Sequence, residues 1–404
     1  MARYIQHILI VLGLALCIIF VQTAPAAVAA EADSDMQYIR VGLLQNQQQV
    51  SVSAENDFVV KDLDKKKNYK FNKNKAVQIS RKNGRTYIDS KSAGSAIVVA
   101  VKDNAAVSVN GKKYRGALRI EQRQNGLTVI NRLQIDEYLY GVVPNEMPTD
   151  WNGEALKAQA VAARSYALYD KIDGKHARDG FDVCITNDCQ VYGGIAAENA
   201  AASRAVDATR GVVLTYLGSP ICAVFHAASG GSTENSEDVW DARVPYLRAV
   251  DDSTERSPYM SWTEKINASD LNEKLGNQRG SLGVLKEIDT SLFKQQAKED
   301  SRGKYIKFIG TSKSVNMSGA AMRSLLGLKS SNFKLSVTEN GKVKDGSSLK
   351  INKMQSADII ISGKGFGHRL GMSQWGAKSL ADKGKNYRQI LLHYYTDVQL
   401  KSLY

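Results

Sequence analysis

The hydrophobic positions change period along the chain, and the changes divide it. From residue 39 they alternate: Ile39-Arg-Val-Gly-Leu, then Val50 and Val52 after a glutamine-rich turn. Alternation at period two predicts strands with one buried face. Asn83-Gly84, Asn110-Gly111 and Asn125-Gly126 each stand between apolar runs, the pattern of tight hairpins. The third is the clearest, with Leu118-Arg-Ile leading in and Leu127-Thr-Val leading out. Residues 62–75 are polar and lysine-rich and predict an exposed loop, with a strip that binds an anionic surface as the alternative. Residues 31–115 therefore read as a β-rich N-terminal region with a structural or substrate-positioning role.

A helical period takes over at 154–169. Leu156, Ala160, Ala163 and Ala167 share one face, and most other positions are small and apolar, so the helix is expected to be buried nearly all round. Lys157 and Arg164 share what remains, with Gln159 to one side. Ahead of it, Ile135-Asp-Glu-Tyr-Leu-Tyr-Gly-Val-Val-Pro-Asn-Glu-Met-Pro reads as a strand-like entry and a short loop holding one carboxylate, Glu146. Pro144 and Pro148 stiffen that loop, and Pro148 pushes the helix start back to Asp150 or Asn152.

A second helical pattern covers 196–208, before a strand at 211–216. Residues 253–350 are more polar, with a helix capped by Ser269, a strand at 305–309, a short helix ended by Gly327 and a turn at Asn340-Gly341. The chain closes with a strand at Ile359-Ile-Ile, a glycine-rich loop, and helices near 373–383 and 387–395. Strands and helices mix without a steady βαβ alternation. The expected class is α+β, multi-domain, with a core over 116–404 that carries a groove and contains the polar subdomain of about 253–350.

The chain has 404 residues, 43% of them hydrophobic, enough for two or three domains. Its formal net charge of +13 suits an anionic partner: nucleic acid, an acidic membrane or an acidic cell wall. The N-terminus narrows this. Arg3 and His7 precede an apolar run over 8–21, then Ala24-Pro-Ala-Ala-Val-Ala-Ala offers Ala-x-Ala cleavage at Ala29 or Ala30. Residues 1–30 read as a secretory signal peptide, with an uncleaved anchor as the alternative. Export excludes nucleic acid as the partner and points to the wall. If the signal is cleaved, no stable membrane span is expected.

Candidate chemistry is sparse. Cys184 and Cys189 can form a small disulfide loop or, with His176, bind zinc through thiolate and imidazole. Cys222 reads as a buried small residue. Cys222, Val224 and His226 share a face if the segment is a strand, and Ser229-Gly-Gly-Ser then makes a turn whose amides and hydroxyls can donate to a sugar. The loop Gly363-Lys-Gly-Phe-Gly-His-Arg-Leu-Gly lacks Rossmann and Walker spacing, so its glycines read as allowing backbone to approach a glycan or a strand. His368, Ser373 and Gln374 are candidate polar groups in a groove; His393 reads as structural. Asp136, Glu137, Asp150 and Glu154 are not compellingly placed as a second catalytic carboxylate.

Three blocks carry a resemblance. The run from Asp136 through Glu146 and Pro148, continued by Glu154-Ala-Leu-Lys-Ala-Gln-Ala-Val-Ala-Ala-Arg-Ser-Tyr-Ala, resembles the signature of the SpoIID/LytB family. Phe225-His-Ala-Ala-Ser-Gly-Gly-Ser-Thr-Glu-Asn and Gly365-Phe-Gly-His-Arg-Leu-Gly-Met-Ser-Gln-Trp-Gly-Ala fit in order. The resemblance covers roughly 115–404. It implies an extracytoplasmic protein acting on peptidoglycan, and a lytic transglycosylase with Glu146 as its catalytic glutamate. Such an enzyme would cut MurNAc–GlcNAc bonds, leave 1,6-anhydro-MurNAc ends, and act on stem-peptide-free glycan. It needs one glutamate, because the substrate's N-acetyl group assists departure of the leaving sugar. Val142, Val143 and Met147 can supply the apolar pocket that keeps that glutamate protonated. The resemblance tilts Cys184, Cys189 and His176 toward a structural zinc. Two alternatives stand: a non-catalytic modifier that binds wall glycan and enhances an amidase, and a zinc hydrolase using the His and Cys residues.

Overall fold

The computed structural model describes residues 36–103, 105–240, 242–294 and 305–404. The expected signal over 1–30 and the acidic start at 31–35 lie outside the described residues. The fold is α+β, with sheets and helices packed around two hydrophobic cores.

The first core begins between two sheets. One is seven-stranded and built around Tyr38–Gln47, Gly126–Gln134 and Ala117–Arg123; the other is six-stranded, with Gln49–Ala54 and Val77–Lys82 at its centre. Their alternating strands put Val41, Val52, Val60, Ile79, Val99 and Ile120 inside. The seven-stranded sheet takes strands from both sides of residue 115. The helix Gly153–Asp173 extends the same core and is flanked by Ala200–Asp207, Gln374–Asp382 and Tyr387–Tyr394. Asn152 caps its start through the Glu154 amide, and Gly174, left-handed at φ 74°, ends it. The second core gathers residues from Trp262 to Ile361, in two four-stranded sheets with the helices Ala268–Arg279 and Gly319–Leu326.

Asn83-Gly84, Asn110-Gly111 and Asn340-Gly341 turn their hairpins with both residues at positive φ. Asn125-Gly126 does not. Arg123 pairs with Gly126, so Gly126 is already in the strand, and a Cβ there would sit 2.6 Å from the Asn46 backbone. That glycine is set by close packing, not by a turn. The stretch 62–75 is not all loop: Lys67–Phe71 is an edge strand, and Phe71 stacks on Phe58 at 5.5 Å. The helix 268–279 is capped by Asn267, which accepts from the Ser269 amide, and not by Ser269. The pattern at 196–208 resolves into a 3-10 turn, Gly194–Ala197, and a helix that starts only at Ala200.

The approach to Glu146 is helical where a strand-like entry and a loop were expected. Ile135–Tyr140 is a helix, and Val143–Glu146 is a single turn with Pro144 in its first positions. Arg164 does not share an exposed face. It is fully buried, 2.7 Å from Asp136, whose second oxygen accepts from the Tyr404 hydroxyl at 2.5 Å. That ion pair ties the entry helix to the central helix, so Asp136 braces the approach to Glu146.

Candidate functional site

Glu146 ends its one-turn helix because Met147 is extended ahead of Pro148. Two anchors hold it. The Gln374 side-chain amide donates to the Glu146 carbonyl at 2.9 Å and reaches the Gln159 oxygen at 3.3 Å. Behind the carboxylate, the Val191 N–H donates to Oε1 at 3.3 Å. The carboxyl faces a cleft of about 310 Å³ lined by Tyr166, Asn187, Cys189, Val224, Phe225, Trp240 and His368. Burial pushes its pKa above the usual glutamate range, and the Val191 N–H only partly opposes this. Among the described residues no other carboxylate lines this cleft.

The apolar surroundings differ from those expected. Val142, Val143 and Met147 are buried in the first core, while the cleft wall beside Glu146 is made by Tyr166, Val224, Phe225 and Trp240. The face-sharing expected of Cys222, Val224 and His226 fails, since only Phe225–His226 is strand, and Val224 and Phe225 both meet the cleft.

The candidate sugar-binding groups divide. His368 lines the cleft, and burial lowers its pKa to about 4, with Arg323 adding to the effect. Its Nδ1 accepts from the Leu370 N–H at 3.0 Å, so the proton of the neutral ring sits on Nε2. His226 is buried behind it, ring centres 5.5 Å apart, with Nδ1 at 3.0 Å from the Leu370 carbonyl. Burial and the neighbouring His368 hold His226 well below its usual pKa.

Ser229, Gly230 and Gly231 do not offer free donors. The Ser229 and Gly230 amides donate to Glu255 at 2.7 and 3.3 Å, and the Gly231 amide donates to Ser229 Oγ at 3.1 Å. The turn is spent on a buried acid. Ser373 caps the helix Gln374–Asp382 through the Gly376 amide and donates to Glu255 at 3.1 Å, so it too faces inward. Gln374 holds Glu146 from behind. His393 contacts the Asp251 carbonyl at 2.9 Å, outside the cleft.

The metal candidates converge. His176 Nε2 lies 3.2 Å from Cys189 Sγ, which lies 3.1 Å from Cys184 Sγ; the cysteines are free. Asp188, unnoticed in the sequence although it sits between the two cysteines, completes the set at 3.4 Å from His176, and all four donor atoms lie within 4.8 Å of one another. Zinc bonds of about 2.0–2.3 Å place tetrahedral donors roughly 3.3–3.8 Å apart, so this spacing fits. Cys222 takes no part. The cluster is mechanically joined to the cleft. Cys189 lines both, Gln190 bridges Tyr138 and the Ala163 carbonyl at 3.2 and 3.3 Å, and Val191 reaches Glu146. Tyr166, Asn187, Phe225 and Trp240 were not singled out from sequence. Trp240 is a large aromatic left 42% exposed, a feature that the fold shows and the sequence does not.

Comparison with known proteins identifies the family. A family model described as SpoIID, stage II sporulation protein, matches residues 123–216, which hold Glu146 and all four candidate metal donors. An uncharacterised protein of Brachyspira hyodysenteriae is 33% identical over 299 residues, 72% of this chain and 73% of its own. Stage II sporulation protein D of Bacillus subtilis is 32% identical over 286 residues, 67% of this chain and 75% of its own. The amidase enhancer of Bacillus subtilis is 32% identical over 333 residues, 73% of this chain, but the match spans only 45% of that longer protein. With a family model over the glutamate and metal segments, and relatives above 30% identity across most of their length, the chain belongs to the SpoIID family.

Proposed function

We propose that this protein is a peptidoglycan lytic transglycosylase that cuts MurNAc–GlcNAc bonds and leaves 1,6-anhydro-MurNAc ends. Family membership supports a cell-wall role, and the relatives' names support action outside the cytoplasm. No described helix is long and apolar enough to cross a membrane. The observation that carries the reading is Glu146: one carboxyl, raised in pKa by burial, with no second carboxylate among the described residues of its cleft.

A hydrolase working by two carboxylates needs a partner acid about 5–9.5 Å away. A lytic transglycosylase does not. Glu146 protonates the glycosidic oxygen, the sugar's N-acetyl group assists departure, and the same carboxylate then takes the proton from the muramyl 6-hydroxyl. Trp240 and Phe225 offer surfaces for sugar rings, and the neutral His368 ring borders them. The family implies zinc, and the donor set His176, Cys184, Asp188 and Cys189 fits it. Bound there, zinc would fix the 184–191 segment in a structural role, and those residues would hold Val191 against Glu146. In this reading residues 31–115 support the 116–404 core, whose polar part is about 253–350.

The amidase-enhancer relative favours a second reading, in which the chain binds wall glycan and stimulates a separate amidase. Mass analysis of glycan after incubation with the purified protein separates the two. Anhydro-terminated fragments support cleavage. Intact glycan strands together with faster amidase release of peptides support enhancement.

A further inference from the structure

Behind the cleft lies a second acidic site. Asp252 and Glu255 are 1% and 0% exposed. Glu255 accepts from the Ser229 amide and hydroxyl at 2.7 Å each, the Gly230 amide at 3.3 Å, the Ser373 hydroxyl at 3.1 Å and the Ser257 hydroxyl at 2.5 Å. Asp252 Oδ1 accepts from the Tyr394 hydroxyl at 2.8 Å. Its Oδ2 lies 2.8 Å from Ser229 Oγ, the same oxygen that is 2.7 Å from Glu255.

The hydrogens do not suffice for two carboxylates. Ser229 Oγ has one proton and two carboxyl neighbours. No cation among the described residues contacts either acid through its side chain. Arg369 spends its guanidinium on the Ser229 and Ser232 carbonyls and on Glu234. Arg256 turns to the Ser253 and Glu255 carbonyls, and His393 to the Asp251 carbonyl. Gly376 closes the remaining side, where a Cβ would meet the Tyr394 hydroxyl at 2.0 Å and Asp252 at 2.4 Å. Two buried charges without a counter-ion are costly, and one added proton removes the conflict.

We propose that Asp252 and Glu255 hold one proton between them, carried on Asp252, and that this pair clasps the 229–231 turn to the Ser373 cap and so positions Glu146. In the clasp, Asp252 donates to Ser229 Oγ, Ser229 donates to Glu255, and Ser373 donates to Glu255. Ser373 starts the helix whose first residue, Gln374, holds the Glu146 carbonyl. Burial, with Glu255 adding to it, raises the Asp252 pKa to about 7. Above that pH the pair gains a second charge and the clasp slackens. The positioning half rests on the reading of Glu146 above; the proton-sharing half stands without it.

The sign follows from linkage. The unfolded chain loses the Asp252 proton near its ordinary value of 3.8 and the folded chain near 7, so this group's contribution to stability declines between those values and is level above them. Asp252→Asn supplies the same donor to Ser229 and the same acceptor to Tyr394 without titrating. Unfolding from acid to alkaline pH should show the wild-type folding constant falling by up to about tenfold per pH unit relative to Asp252→Asn in that window. Infrared spectra near neutral pH should show a protonated carboxyl that disappears in Asp252→Asn. Glu255→Gln should be strongly destabilised, because an amide nitrogen would face its donors. At alkaline pH the Gly376 amide should exchange faster in wild type than in Asp252→Asn, and the ratio of mutant to wild-type cleavage rate should rise with pH. An unchanged stability slope, a carboxyl band lost in Glu255→Gln instead, equal Gly376 exchange, or an Asp252→Asn chain that does not fold would each overturn the inference. Absence of cleavage in every variant would sink the Glu146 reading, while spectroscopy and exchange still judge the clasp.

Discussion

Glu146 and Glu255 are held at the two ends of one short segment. Gln374 grips the backbone of the first, and Ser373 binds the side chain of the second. Yet their surroundings are opposite. Glu255 is fully enclosed, and its oxygens are occupied by amides and hydroxyls of the protein itself. Glu146 has one backbone donor at 3.3 Å and faces an open cleft. A carboxylate saturated by its own protein is structural. One that is buried enough to hold its proton, but has oxygen capacity to spare, can give that proton to something else.

This contrast can be broken from either side. The largest expected effect on stability comes from Glu255→Gln, which should lose ~5 kcal/mol or more, at about 1–3 kcal/mol for each of several donors left facing an amide; chemical unfolding measures it. If Glu255→Gln is as stable as wild type, the enclosed site is not the anchor described. Asp136→Ala is expected to cost about 3–5 kcal/mol by leaving Arg164 buried and unpaired, again read from unfolding curves. Gln374→Ala removes one grip on the Glu146 carbonyl without touching the carboxyl. It should lower the cleavage rate about tenfold through misplacement while costing only about 1 kcal/mol in stability. Equal losses in Gln374→Ala and Glu146→Gln would erase the distinction between holding the acid and being it.

Metal removal and pH sharpen the same comparison. Elemental analysis should find about one zinc per chain, and a chelator should lower the melting temperature by loosening the 184–191 segment. A metal-free protein with a Cys184–Cys189 disulfide would contradict this. Because burial raises the Glu146 pKa, the acid form persists to higher pH than in a solvated glutamate. The cleavage rate should therefore fall as pH rises through that raised value. A rate that climbs steadily across neutral pH would mean that Glu146 starts as a base.

Local patterns in the sequence were a good guide where one physical requirement dominated. Paired positive φ angles at Asn83-Gly84 and Asn110-Gly111 need only a turn, and the small apolar residues of 154–169 need only burial. Glycines were misread where tertiary contact sets them. Gly126 clears the Asn46 backbone, and Gly230 and Gly231 shape a turn around Glu255. His176, Cys184 and Cys189 were legible by ligand type, while Asp188 required the fold, since an aspartate has no distinctive spacing of its own. The cleft wall was the least legible part. Tyr166, the neighbours Val224 and Phe225, and Trp240 come from three separate segments, and no local period brings them together.

The most direct measurement compares wild type with Glu146→Gln on purified glycan strands, with products identified by mass. Glutamine keeps the shape and removes the proton. The account predicts anhydro-muramyl ends from wild type and a loss of about two to four orders of magnitude in the mutant, whose fold and glycan binding stay near normal. Anhydro products released by Glu146→Gln at the wild-type rate would contradict it.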